Sequence, residues 1–161
     1  MDYFDNDQHW DEFWKVAQTW IGTPFFHGAL EKGVGADCTT FIGGVLLEAK
    51  IITEVKYDSY GLNWWLDGSD ALIKERVEHH LKEKLIPGLH AIDIEINQPL
   101  KRGDLLGIWT IRKGFANHSA LYIGNDQMLH CMQKKGVEIR TLKNGTFLRR
   151  LVNVYRIVEE V

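Results

Sequence analysis

Residues 33–47, GVGADCTTFIGGVLL, are the most informative segment for the fold and contain the residue on which the chemistry depends. Its first half is interrupted by glycines, as in a loop, and its second half has apolar residues at the spacing of a buried helical stripe. Cys38 therefore lies where a loop becomes a helix that we expect to run to about Lys50. Because the free N–H groups of a first helical turn favour an anion, this position predicts a lowered thiol pKa and a candidate nucleophile.

Composition limits the classes of protein to consider. The chain has 161 residues, of which 45% are hydrophobic, and this predicts a single domain over residues 1–161 with a sizeable core. The formal net charge is −3 with acids and bases interspersed, which favours neither nucleic acid nor an anionic membrane as a partner. The acidic first residues do not resemble a secretory signal, and no apolar run approaches the ~18 residues of a membrane-spanning helix. We therefore expect cytoplasmic synthesis without a signal peptide, and no membrane insertion.

Two further helices are predicted from apolar periodicity, over residues 7–21 and 69–85. The aromatic stripe of the first could be a sugar-binding platform, but core packing is the favoured interpretation. Residues 51–67 lack a periodic pattern. Trp64 and Trp65 lie in that irregular stretch and fit equally well the wall of a substrate groove or a cap on the core.

After Pro87 the pattern changes to short alternating runs separated by glycine and asparagine turns. The predicted strands are 91–96, 105–111, 118–123, 127–132, 137–141 and 152–158. Closely spaced strands with short turns predict an antiparallel sheet. Helices followed by strands predict an α+β fold, with N-terminal helices packed on a central antiparallel sheet.

One predicted hairpin brings two histidines together. Pairing Leu121 with Leu129 keeps the apolar residues of both strands on one face, since directly opposed side chains share a face. That register pairs Ala120 with His130, so His118 and His130 become diagonal neighbours on the other face. A two-residue loop would shift the register by one residue and separate them. We therefore predict a three-residue loop, or a bulge with the same parity.

A cysteine at a helix N-terminus and two imidazoles on one sheet face are the groups that cysteine catalysis needs. Zinc is the rival use of Cys38, His118 and His130, but the chain has no CxxC or HExxH spacing and no obvious fourth ligand. Cys131 should face away from His130, and this also disfavours a redox pair with Cys38. We expect no metal and no cofactor.

Five segments of the chain resemble the NlpC/P60 superfamily of papain-like cysteine peptidases. They are residues 20–28, 35–42, 100–106, 117–124 and 128–131, in the family's order. The resemblance implies a papain-like NlpC/P60 fold, with Cys38 as nucleophile, His118 as general base and His130 as the residue that orients it. The first two segments are most similar to the branch encoded in phages and prophages.

The resemblance also implies positions that bind the substrate. Asp37 matches a position that holds a free amine in some members, and Thr39 stands where serine is usual. Phe25 replaces a tyrosine whose hydroxyl lies near the thiol in many members, with His27 as a substitute donor. The residues expected at the substrate are Asp37, Thr39, His27, Trp64 and Trp65.

By resemblance, the activity is hydrolysis of an amide bond in bacterial cell-wall stem peptides through a cysteine thioester. The implied partners are the peptidoglycan stem peptide and phage tail proteins, with delivery to the wall by a phage or by lysis. Two alternatives stay open: another cysteine-dependent acyl transfer on the same fold, and a non-catalytic phage tail or assembly module.

Overall fold

A computed structural model describes residues 1–57, 72–110, 113–114, 116–142 and 145–160, with only the backbone at 72 and 73. Trp64 and Trp65 therefore lie outside the described residues. The helices are α1 (Asp7–Ala17), α2 (Thr40–Glu48) and α3 (Leu72–Glu83). The strands are β1 (Leu30–Glu31), β2 (Gly35–Ala36), β3 (Leu89–Asp93), β4 (Leu105–Ile108), β5 (His118–Gly124), β6 (Gln127–Met132), β7 (Gly136–Thr141) and β8 (Leu151–Glu159).

Strands β3 to β8 form one antiparallel sheet in the order β3-β8-β4-β5-β6-β7. Each corresponds to one of the six predicted runs, and β6 has the predicted bounds. Strands β1 and β2 form a separate small hairpin before α2, which the sequence did not predict. The prediction of an α+β fold with an antiparallel sheet is confirmed.

Helix α1 packs its aromatic stripe into the core, as predicted. Trp10, Phe13 and Ala17 are buried, and Asn6 caps the helix by accepting the N–H groups of Gln8 and His9. The helix is shorter than the predicted 7–21, because a single 3₁₀ turn and a glycine with positive φ redirect the chain after residue 17.

Helix α2 is buried on every side over residues 40–46. Two glycines allow this close packing. A Cβ on Gly43 would lie 2.1 Å from the hydroxyl of Tyr57, and a Cβ on Gly44 would lie 2.3 Å from the ring of Trp20. These contacts hold the start of α2 in a fixed position over the sheet.

The β5–β6 hairpin has the predicted register. Ala120 pairs with His130 and Leu121 with Leu129. The loop itself has two residues, Asn125 and Asp126, both with positive φ as a type I′ turn requires. A bulge between Tyr122 and Gly124 shifts the register by one residue, which keeps His118 and His130 on the same face.

The two faces of the sheet carry different layers. Leu121, Leu129 and Cys131 belong to the core shared with α1 and α2. Ala120 and Met128 belong to a second core on the other face, against which Phe147 and Leu151 pack. Both faces are therefore covered, and the cover of the histidine face comes from chain between β3 and β4 and from chain that follows β7. No helix within the described residues has the length and apolar character to cross a membrane.

Candidate active site

Asp37 caps the helix that carries the candidate nucleophile. Its Oδ1 accepts the backbone N–H groups of Thr39 and Thr40 at 3.0 and 2.9 Å, and Thr40 Oγ1 accepts the N–H of Asp37 at 2.8 Å. This reciprocal pair is a capping box. The N–H of Phe41 donates to the Asp37 carbonyl at 3.2 Å, so a turn that contains Cys38 leads directly into α2, which begins at Thr40.

The surroundings of Cys38 raise the thiol pKa rather than lowering it. Burial and, second, the negative charge of Asp37 raise the pKa of Cys38 to about 12, while hydrogen bonds from Ser119 act in the opposite direction. The first-turn N–H groups do bind an anion, but that anion is the Asp37 carboxylate. The predicted lowered pKa is wrong, since burial and the Asp37 charge both act against the thiolate.

Two hydroxyl groups hold the turn at Cys38 against its surroundings. Ser119 Oγ donates to the Cys38 carbonyl at 2.5 Å, and Tyr57 Oη donates to the Thr39 carbonyl at 3.0 Å. Ser119 directly follows His118 on β5. The candidate nucleophile therefore lies against the first residues of the strand that begins with the candidate base.

The two histidines are hydrogen-bonded to each other. His118 Nε2 lies 2.9 Å from His130 Nδ1, and His130 Nε2 lies 3.2 Å from Glu138 Oε1. Both imidazoles are buried, at 5% and 0% exposure. The predicted placement of His118 and His130 on one face is confirmed, with Glu138 of β7 as a third member.

This chain of hydrogen bonds assigns the imidazole protons. An ionised Glu138 carboxylate only accepts, so His130 Nε2 carries a proton and His130 Nδ1 has a free lone pair. His118 Nε2 must then donate to it, which leaves His118 Nδ1 as the basic nitrogen. Burial and, second, electrostatic repulsion from a nearby His130 proton lower the pKa of His118 to about 3, which favours the neutral imidazole.

The expected substrate-binding residues have different surroundings. Asp37 is buried, and its Oδ2 accepts the N–H of Gly28 at 2.8 Å. Thr39 is buried with its hydroxyl donating to Asp37 at 3.1 Å. His27 is half-buried, with Nδ1 4.0 Å from Asp37 Oδ2. The structure thus brings Asp37, Thr39 and His27 together beside Cys38. The Asp37 carboxylate both accepts the N–H groups at the start of the helix and binds the loop at Gly28.

Sequence reasoning missed Glu138 and Ser119. The signal for Glu138 lay in the β6–β7 hairpin, where Val137 faces the helix-side core and its neighbour must face the histidines. Register pairs His130 with Glu138. Ser119 could have been found in the same way, because it alternates with His118 and so faces the helix that carries Cys38.

Cys131 faces away from the histidines, as predicted. Its thiol donates to the Ala36 carbonyl at 3.3 Å in the helix-side core. Among the described residues, no group of three or more histidine, cysteine or acidic side chains is arranged to hold a metal ion.

Comparison with known proteins identifies similar sequences and folds. The model of a family described as the NlpC/P60 family matches residues 22–156. No curated protein sequence matches the chain.

Solved structures with the same fold have low sequence identity. An NlpC/P60 family protein from Bacillus cereus is 18% identical with a TM-score of 0.61, over 90% of this chain and 39% of its own. A similar-to-lipoprotein NLP/P60 family protein from Staphylococcus aureus is 15% identical with a TM-score of 0.59, over 96% and 43%. This chain thus spans about two fifths of the length of both proteins.

The NlpC/p60 domain of the peptidoglycan hydrolase SagA is similar over nearly its whole length. It is 20% identical with a TM-score of 0.53, over 92% of this chain and 97% of its own. The predicted arrangement of helices packed on a six-stranded antiparallel sheet is the fold that this chain shares with these proteins.

Proposed function

The chain belongs to the NlpC/P60 family, and from that membership we propose that it hydrolyses an amide bond of bacterial cell-wall stem peptides by cysteine catalysis. Members of this family are generally cysteine peptidases or amidases. The observation that carries the proposal is the hydrogen-bond chain from Glu138 through His130 to His118, because it leaves a neutral imidazole with a basic Nδ1.

In the proposed first step His118 Nδ1 takes the thiol proton as Cys38 Sγ attacks the substrate carbonyl carbon. The raised pKa of the thiol and the lowered pKa of His118 favour a neutral pair before the substrate arrives. Proton transfer is then coupled to attack, as in general-base catalysis. The positive charge that forms on His118 is stabilised through His130 by the Glu138 carboxylate.

The tetrahedral intermediate collapses when His118 gives its proton to the leaving amine, which forms a thioester on Cys38. His118 then takes a proton from water, whose oxygen attacks the thioester carbonyl. The C–S bond breaks to release the acid, and His118 returns its proton to the sulfur of Cys38. The backbone N–H of Cys38 is the simplest oxyanion donor, since Phe25 offers no hydroxyl. Loss of one such donor typically costs ~10²–10³ in rate, so we expect a slow enzyme.

The experiment is incubation with a synthetic stem peptide, L-Ala-γ-D-Glu-diamino acid-D-Ala, with the products identified by mass spectrometry. Cleavage by the unaltered protein and by Cys131→Ser, but not by Cys38→Ser or His118→Ala, supports the proposal. A product that carries an added amine acceptor instead of water would favour acyl transfer. No turnover of stem peptides or of intact peptidoglycan would leave the non-catalytic alternative.

The origin in a phage or prophage, phage tail partners, and delivery from the cytoplasm to the wall by a phage or by lysis stay predictions of the resemblance. So do the substrate contacts of Trp64 and Trp65.

A further inference from the structure

A basic cleft lies beside the end of β4 and the segment that precedes β8. It has a volume of about 530 Å³ and is lined by Trp109, Lys113, Thr146, Arg149 and Arg150. Every charged side chain in this lining is a cation, although the chain as a whole has a net charge of −3. The cleft therefore concentrates positive charge that the composition does not predict.

Among the described residues, no carboxylate pairs with the cations of the cleft. Elsewhere, Arg102, Arg140 and Arg156 each lie within 4 Å of an aspartate or glutamate oxygen. Within the described ranges, no ion pair involves Lys113, Arg149 or Arg150. Unneutralised guanidinium groups around a concave surface are suited to bind an anion from outside.

Trp109 and Arg150 form one wall of the cleft and are held together by two contacts. The guanidinium carbon of Arg150 lies 4.8 Å from the ring centroid of Trp109, and the Trp109 N–H donates to the Arg150 carbonyl at 2.9 Å. The cation–π contact and the backbone bond hold an arginine fork beside an apolar indole face. Such a wall suits a planar anion attached to an aliphatic chain.

Two residues of the cleft lining are chain neighbours of residues that pair with or contact the histidines. Trp109 follows Ile108, which pairs with His118 across β4 and β5. Thr146 precedes Phe147, whose ring meets the ring of His130 edge-on with centroids 6.2 Å apart. A ligand group in the cleft would thus lie beside the face of the sheet that carries the catalytic pair.

We propose that this cleft is a subsite that binds a free carboxylate of the stem peptide. The proposal rests on the proposed function, since it concerns the substrate of the same site. A γ-linked glutamate keeps its α-carboxylate free, and a peptide that ends in D-alanine carries a second one. A single compact cleft favours such a group over a phosphate polymer, which needs a long basic stripe.

The test measures binding rather than turnover, on the Cys38→Ser protein by calorimetry. The probes are the stem peptide L-Ala-γ-D-Glu-diamino acid-D-Ala and forms of it in which one carboxylate at a time is a carboxamide. We expect amidation of one position to weaken binding about fivefold at low salt, and less at high salt. The position that responds identifies which carboxylate the cleft takes.

Arg149→Gln and Lys113→Gln should abolish that discrimination. Both side chains are exposed, so folding should be unaffected. Lys15→Gln removes one charge from an exposed lysine on α1 and should keep the discrimination. The subsite proposal would be overturned if the protein bound all forms of the peptide with equal affinity, or bound none of them. It would also be overturned if Lys15→Gln lost the discrimination in the same way. So would Arg149-dependent binding of inorganic polyphosphate without discrimination among the peptides.

Cleavage by the unaltered protein is scored separately. If it cleaves acidic and amidated peptides with equal kcat/KM and binds them equally, the proposed function stands and the subsite fails. If carboxylate-dependent binding is present without cleavage, the subsite stands and the proposed activity fails.

Discussion

The hydroxyl of Ser119 donates a hydrogen bond to the backbone carbonyl of Cys38 at 2.5 Å. Ser119 is 1% exposed, and it stands next to His118 at the start of β5. The contact joins the turn that carries the candidate nucleophile to the strand that carries the candidate base. One buried hydroxyl therefore sets the position of Cys38 relative to the sheet.

Replacement of this hydroxyl should impair catalysis more than folding. Ser119→Ala removes one buried hydrogen bond, and we expect the free energy of unfolding to fall by about 1 kcal/mol. Because the Cys38 turn is no longer held against β5, kcat should fall about tenfold with KM little changed. The control is Thr53→Ala, which removes a hydroxyl bonded to the Lys84 carbonyl at 3.3 Å. An unchanged kcat in Ser119→Ala would contradict this positioning role.

Loss of the Asp37 charge should make the thiol more reactive. The carboxylate raises the pKa of Cys38 by repelling the thiolate, so Asp37→Asn should lower that pKa while the amide oxygen still caps the helix. We expect alkylation by iodoacetamide at pH 7–9 to be about tenfold faster. Cys131→Ser in both proteins leaves Cys38 as the one thiol.

The same alkylation experiment tests the resting state of the site. A thiol whose pKa is raised to about 12 is protonated below that pH, so the rate in the unaltered protein should keep rising through the alkaline range. A plateau near pH 6 that disappears in His118→Ala would instead establish a preformed thiolate–imidazolium pair.

Glu138→Gln should change the tautomer of both histidines, so that the proton of each ring moves to its other nitrogen. The amide N–H of glutamine can donate to His130 Nε2, which moves the proton of His130 to Nδ1 and that of His118 to its own Nδ1. The base would be lost, and we expect kcat to fall about tenfold or more. ¹⁵N spectra of the imidazoles should report the changed tautomers.

The matched control is Glu83→Gln, because Glu83 lies 3.1 Å from the ring of His79 on the outer face of α3. This variant should keep both kcat and the tautomers of His118 and His130. A Glu138→Gln protein with unaltered tautomers and full activity would remove Glu138 from the mechanism.

Asp104→Asn should lower stability without changing the chemistry. Asp104 is fully buried, and it accepts from Arg156 Nε and Nη2 at 2.7 and 2.8 Å. Removing one partner of such a pair typically costs about 3 kcal/mol of unfolding free energy, which corresponds to a fall in Tm of about 10 °C. Thermal unfolding should show this loss, whereas Asp5→Asn, an exposed partner of Lys101, should change Tm by about 1 °C. Comparable Tm values for the two variants would contradict the structural role.

Local pattern was enough to predict the sheet and the hairpin. Residues of one strand alternate between faces, and side chains opposite each other share a face, so the apolar residues Leu121 and Leu129 determined the register. That register alone is enough to place His118 and His130 on the same face of the sheet. The bulge before Asn125 shows the strength of this constraint, since the chain distorts its ladder rather than expose the apolar face.

Periodicity was less informative where the chain packs at close range. The lengths of α1 and α2 depend on the turns at their ends, and the small β1–β2 hairpin has too few residues to show a pattern. Gly43 and Gly44 fit a helix only because Tyr57 and Trp20 approach it.

The fold class, the β5–β6 register and the identity of the cysteine and histidines follow from the amino-acid sequence, because each depends on neighbours along the chain or on strand periodicity. The electrostatics of the site depend instead on contacts between distant parts of the chain. Asp37 occupies the helix terminus that was expected to stabilise a thiolate, and Glu138 arrives from another strand to set the protons of both histidines. Charges and hydrogen bonds act through space, and the residues that supply them are far apart in the sequence or point in directions that the pattern does not encode.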